Sequence, residues 1–466
     1  VAQADPEQRL IARDLWTGGA VLVWMSAFAV CFAKERLYAD AGYFLVRLLD
    51  EEWFHVINHR WVMPLIQGPP LLGIKLGLDL PAVVVLHSVS NILFATIAFL
   101  FTLLVLRDHT HAMVVLGTQV IGLTHALFCP VFELYYGAML LIVLRAVIHS
   151  SCLHTGWRFA LALALFILVA SCHFLGLLLL LLMLLLDRTA VDRTLRWSFA
   201  VALGLVLTYR LLELSTYEDR ALGTVLLRLR SDGLLWTLAP ARLAGHGIQA
   251  IAHYPDAIGL AIMATIAAWR GRWQRASGLF LGGHALLYVL ISLYFPDGTH
   301  DRYRETLDYA PIVWTLVFVA RLMEGSARWQ RLAAPVLLVT TLLRIGWAWY
   351  VGGTYQERSA WMIARIERAR SAGIHKALDH DHRELIPPGF NNAPLYDPAP
   401  FEYLLLSSMG GPEGTVVMVC LPNGTPPPTE DALHTALARE GVRLPERHDG
   451  RYFRMPEGPF RLMAVP

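Results

Sequence analysis

At 466 residues with 56% hydrophobic and 16% charged side chains, the chain is more apolar than the roughly 45–50% of ordinary soluble domains, a composition that belongs in a membrane. The formal net charge of +2 gives no reason to expect nucleic acid, and the sequence carries no P-loop, glycine-rich dinucleotide fingerprint or zinc spacing. Its five cysteines, Cys31, Cys129, Cys152, Cys172 and Cys420, are odd in number and widely spaced, which fits neither a disulfide framework nor a metal cluster.

The polar opening after Val1 lacks the basic, apolar and small-residue order of a cleavable signal, so the first apolar run is expected to stay in place. Crossing a hydrocarbon core of about 30 Å takes about 17–25 mostly apolar residues. Such runs lie near Leu15–Ala33, Pro81–Leu106, Ala112–Phe128, Leu134–Ile148, Trp157–Ser171 and Cys172–Leu186. Five more follow, at Leu195–Leu212, Ala257–Trp269, Leu279–Phe295, Leu307–Leu322 and Pro335–Val351. The reading is a mainly α, polytopic membrane protein with about eleven transmembrane helices. Within Trp157–Leu186 the segment "SCHFLG" reads as a turn that leaves His173 near one surface.

Arginines gather at alternate ends of these runs: Arg9 and Arg13, Arg107, Arg158, Arg188 with Arg193 and Arg196, Arg270 to Arg275, and Arg321 to Arg331. The positive-inside rule makes those ends cytoplasmic, with the amino terminus in and the carboxy terminus out. Residues 1–351 then form the transmembrane part, with outer loops 34–80, 213–256 and 296–306, and residues 352–466 an extracytoplasmic domain. Abundant Leu and Arg with few Lys suggests a bacterial inner membrane.

The first outer loop opens with "ADAGYFLVRLLDEEWFHVINHR", residues 39–60. Leu45, Leu48, Leu49, Trp53 and Val56 recur at helical spacing opposite Arg47, Asp50 and Glu51, predicting an amphipathic helix along the interface. Asp40 either caps that helix or presents a carboxylate to a water-filled cavity, where it could accept a proton or hold a divalent cation. Past Gly352 the pattern predicts a small α+β domain of about 100 residues. It consists of an amphipathic helix "QERSAWMIARIERARSAG", strands at "EYLLLSS", "GTVVMVCLP", "RYFRM" and "FRLMAV", and a capped helix at "TEDALHTALAREG".

"YADAGYF", "NHRW" and "MPLIQGPPLL" resemble the first outer loop of the glycosyltransferase-C superfamily, polytopic enzymes that use lipid-phosphate-linked sugars and carry an essential acid in this loop. Glu133 at the second outer turn, the "ASCHFLGLLLLLLMLLL" pair and "DRYRETLDYAPIVWTLVF" extend the likeness along most of the membrane part. The usual acidic pair is here Asp40 followed by Ala41 and Gly42. The resemblance implies a glycosyltransferase-C fold and transfer of a sugar from a polyprenyl phosphate to an extracytoplasmic acceptor. It makes Asp40 the base, or a ligand of a divalent metal such as Mg or Mn, and Glu133 a second carboxylate.

In that chemistry the acceptor must lose a proton and the departing phosphate must be neutralised. Arg302 with Arg304, or His59 with Arg60, are the candidate phosphate partners, arginine being the better geometric match to its oxygens. Headgroup contact, and for Glu133 a helix N-terminus, are the plainer accounts. Arg242 and His246 in loop 213–256 could meet substrate, or belong to a helical cover over the cavity. "DHDH" at Asp379–His382 reads as a solvated loop more readily than as a metal site. His87, His125, His173 and His284 raise a haem reading, but no attachment motif accompanies them and no haem is expected. A transporter is disfavoured because no repeat or broken polar helix pair relates the halves. The stronger rival is a non-catalytic membrane subunit whose outer domain, residues 352–466, binds an envelope protein partner.

Overall fold

A computed structural model of the chain describes residues 6–188, 191–213, 216–271, 273–294, 302–379, 399–420 and 450–463. It is mainly helical. The helices are α1 (Pro6–Cys31), α2 (Asp40–Glu51), α3 (Met63–Lys75), α4 (Leu80–Leu100), α5 (His109–Gly117), α6 (Glu133–His149), α7 (Thr155–Cys172), α8 (Phe174–Leu186) and α9 (Arg193–Leu212). There follow α10 (Thr216–Ser231), α11 (Leu234–Thr237), α12 (Pro240–His253), α13 (Pro255–Arg270), α14 (Gln274–Tyr294), α15 (Arg302–Glu324), α16 (Ala327–Ser371) and α17 (Ala399–Ser408). Strands β1 (Lys376–Asp379), β2 (Val417–Cys420) and β3 (Arg461–Leu462) make a parallel sheet in the order β2-β1-β3.

Among the described residues seven helices are long and apolar enough to cross a membrane, and eight if the pair α12 and α13, bent by 107°, is one span. The protein is therefore a helical membrane protein, but not every apolar run is a long helix. Ala112–Phe128, expected as a span, is the end of α5 followed by turns and a short 3₁₀ turn at Ala126–Phe128. Its apolar character reflects burial inside the bundle. Irregular backbone at that depth is tolerated where protein groups satisfy it, and here the carboxylate of Glu305 accepts the N–H groups of Thr124 (3.0 Å), His125 (3.0 Å) and Ala126 (2.7 Å). Helix α6 is likewise an interior helix, buried from Glu133 to Ile148.

Short polar residues start several helices. Asp79 caps α4 through Ala82 N–H at 3.1 Å, and Asp192 caps α9 through Leu195 N–H at 2.8 Å, each contact worth about 1 kcal/mol. The expected turn in "SCHFLG" is present: His173 ends α7 and its Nδ1 accepts the N–H of Leu175 at 3.1 Å to start α8.

The loop after α1 folds differently from its periodicity. Helix α2 stops at Glu51 because Glu52 takes a left-handed conformation (φ 48°), and Trp53 lies outside it, exposed. Its buried face, with Leu45, Leu48 and Leu49, packs in a second core with α3, the far end of α16, α17 and the sheet. The C-terminal segment thus shares its core with the loop that carries Asp40.

Two further expectations change here. The run expected to break near Gly352 is one helix, α16, of 45 residues. "EYLLLSS" belongs to α17, not a strand: all of Ala399–Ser408 is buried, and a short, fully buried apolar run does not reveal its period. "RYFRM" is not a strand either, whereas Val417–Cys420 and Arg461–Leu462 are. The helix expected at Thr429–Gly441 and residues 380–382 of "DHDH" lie outside the described residues.

Candidate functional site

Where α7 breaks into α8, four elements bring charged side chains together. Arg60, from the loop before α3, donates to the carboxylate of Glu133 at the start of α6, and both are buried. A buried pair of this kind strongly resists loss of either partner. His173 lies beside Arg60 and Arg210, and its capping bond to the Leu175 N–H uses Nδ1 as the acceptor.

Arg210, in the last turn of α9, is only 1% exposed. Its Nη2 donates to the Ser171 carbonyl at 2.6 Å, and its guanidinium carbon lies 5.0 Å from the centroid of the Phe174 ring. The Nε and Nη1 atoms are buried without a hydrogen-bond partner among the described residues. Next to it, Tyr209 O–H donates to His59 Nδ1 at 2.8 Å, which leaves His59 Nε2–H to donate to the Glu213 carbonyl at 3.0 Å. His59, Ser171, Tyr209 and Arg210 form the polar part of a groove of about 560 Å³, whose walls include Leu163 and Ile167 of α7 and Val201 and Leu205 of α9.

A second cluster holds Arg242, His246 and Arg304. Arg304 Nε donates to Asp308 at 2.9 Å, and its Nη2 meets His246 Nδ1. Arg242 stacks on Trp236, 3.2 Å from the ring centroid. The charge of Arg304 is thus already matched inside the protein. Arg302 opens α15, its side chain lying outside the described residues.

Asp40 lies elsewhere in the same loop as Arg60. It occupies the first turn of α2, half-buried, and does not cap it: the capping position is Ala39, which makes no side-chain bond. An acid there still gains from the helix dipole. Ala39 is strained, at φ 57° and ψ −128°. Of the five non-glycine residues with positive φ among those described, four (Ala39, Glu52, Asn58 and His59) fall in this one loop. Such strain costs on the order of 1–3 kcal/mol per residue and gathers where geometry matters for function. Here an outside contact fixes it: Ala39 N–H donates to Glu402 Oε1 of α17 at 3.1 Å, and Glu402 is itself held by Arg358 at 2.9 Å.

Among the described residues no group of three or more His, Cys, Asp or Glu could hold a metal ion. The four histidines weighed for haem have separate surroundings. His125 contacts Tyr355 O–H at 3.3 Å, His284 sits between Phe280 and Thr315, His173 caps α8, and His87 is buried in α4.

The fold brings together His59, Arg60 and Glu133, which the sequence singled out, and places beside them Arg210, which it did not. Its signal was available: an arginine at the expected outer end of a span, against the side on which the other span-end arginines cluster. No protein-family model, curated protein or solved structure matches this chain.

Proposed function

We propose that this protein is a membrane glycosyltransferase that moves a sugar from a polyprenyl-phosphate donor to an acceptor outside the cytoplasm, with Asp40 as general base. The observation that carries the reading is the strained Ala39–Asp40 junction, held by Glu402, 363 positions away in the chain. A capping carboxylate needs no such support. A base that must meet an acceptor hydroxyl at hydrogen-bond distance does.

The step balances without a redox partner. The acceptor O–H proton passes to the Asp40 carboxylate, and the acceptor oxygen bonds to the anomeric carbon. The bond from that carbon to the phosphate oxygen breaks, its electron pair leaving with the lipid phosphate. The sugar configuration inverts. Glu133 and Arg60 form an ion pair, and His59 is positioned by Tyr209. The wider reading places the protein in a bacterial inner membrane with the amino terminus inside, the carboxy-terminal segment outside and the fold of the glycosyltransferase-C type.

The rival reading, a non-catalytic subunit, draws on one fact: Arg60, Arg304 and Glu402 are all engaged in ion pairs within the chain. The two separate in a transfer assay with purified protein and a panel of polyprenyl-phosphate sugars. Turnover of any donor supports the enzyme. No turnover across the panel, with an envelope protein retained by residues 352–466, supports the subunit.

A further inference from the structure

The groove between α7 and α9 has a feature that an ordinary lipid-facing surface lacks. Apolar side chains facing lipid are expected of any membrane helix, and Trp197, Val201 and Leu205 are of that kind, each more than half exposed. A charged side chain near the end of a span ordinarily reaches out to the headgroups. Arg210 does the opposite: it is 1% exposed, at the polar end of the groove.

A guanidinium stays protonated in a protein, so its charge must be met rather than titrated away. The Ser171 carbonyl and the Phe174 face meet part of it, and Glu218 of α10 adds an attractive charge. Nε and Nη1 nevertheless have no acceptor among the described residues. A buried donor without a partner costs about 1–3 kcal/mol, more when charged, and an anion entering by the groove would remove that cost.

We infer that this groove binds a single-chain lipid phosphate, with Arg210 as the ligand of the terminal phosphate and the hydrocarbon tail along Leu163, Ile167, Val201 and Leu205. The depth of Arg210 selects the monoester. A terminal phosphate offers three free oxygens and can reach a recessed guanidinium, whereas the phosphodiester of a two-chain lipid is flanked by glycerol and headgroup. Arg is suited to such oxygens through its several fixed N–H donors. The inference rests on the transferase reading only in identifying that lipid with the donor. It also moves the phosphate from Arg304, already bound to Asp308 and His246, to a residue with free donors.

The test is binding of farnesyl phosphate to the full-length protein in detergent, followed by calorimetry, with farnesol, phosphatidylglycerol and inorganic phosphate as separate arms. We expect farnesyl phosphate to bind at least about tenfold more tightly than each of the other three, and Arg210→Met to weaken it by about tenfold or more. Arg210→Lys is expected to retain part of the affinity, and Leu205→Trp to weaken binding by filling the groove. Because Arg210→Met could unfold the bundle, the lysine and tryptophan variants carry the test at matched thermal stability. Equal binding by phosphatidylglycerol would mean an ordinary membrane lipid, and equal binding by inorganic phosphate an anion site without the groove. Either result, or unchanged affinity in Arg210→Lys and Leu205→Trp, overturns the inference. Binding with these dependences but no sugar transfer would sink the transferase reading alone.

Discussion

Glu402 accepts the backbone N–H of Ala39 at 3.1 Å with the same carboxylate that binds Arg358. One side chain of the C-terminal segment therefore fixes the backbone immediately before Asp40. Glycine at position 42 leaves room for this contact, since a Cβ there would lie 2.8 Å from the Leu37 carbonyl and 3.2 Å from Glu402 Cγ.

The relationship separates a positioning role from a stability role. Glu402→Ala leaves Arg358 buried without its counter-charge, a loss of about 3–5 kcal/mol, seen as a lower unfolding temperature. The paired change Glu402→Met with Arg358→Met removes both charges, and most of the stability is expected to return. Transfer activity is expected to stay at least about tenfold down in the pair, since the Ala39 N–H has lost its acceptor. Recovery of both stability and activity would reduce Glu402 to packing.

At the other end of the bundle, Arg145 is fully buried and donates to Asp187 at 2.6 and 3.0 Å and to Glu324 at 2.6 and 2.9 Å. Burial alone would raise the Asp187 carboxyl, but contact and charge from His149 and Arg145 outweigh it and take it from 3.8 to about 2. A carboxyl lowered on folding contributes stability that is full above its unfolded value and is lost as pH falls through the folded one. We expect about 2 kcal/mol to disappear between pH 4 and pH 2, at about 1.4 kcal/mol per unit. Unfolding temperatures of wild type and Asp187→Asn across that range measure it. Parallel curves for the two proteins would rule it out.

Glu305 holds three backbone N–H groups of the irregular stretch after α5. Glu305→Leu abandons those donors in the interior, and each costs about 1–3 kcal/mol. We expect poor yield or a large fall in unfolding temperature, with Glu305→Gln milder because its carbonyl still accepts. Protection of Thr124, His125 and Ala126 from hydrogen exchange follows the same order; wild-type protection in Glu305→Leu would show that the backbone finds other partners.

Much of this was readable in residue patterns. Long apolar runs marked most of the spanning helices, and Ser171–Gly176 marked the break between α7 and α8. Two things were hidden, for different reasons. Ala112–Phe128 and "EYLLLSS" are apolar because they are interior, and apolar character alone does not tell a span from a buried turn, or a strand from a buried helix. Glu402, Glu305 and Arg344 act across long separations: Arg344 reaches Thr124 at 3.1 Å and Asp256 at 2.8 Å. No local spacing reports such pairings. Asp40 was found by its place in the loop, but the strain beside it is a property of φ and ψ alone.

Proton transfer from the acceptor to Asp40 is measured by single-turnover transfer from a polyprenyl-phosphate sugar with wild type and Asp40→Asn at matched unfolding temperature. We expect a loss of about 10²-fold or more in the asparagine variant with donor binding unchanged. Full activity in Asp40→Asn would mean that Asp40 is not the base.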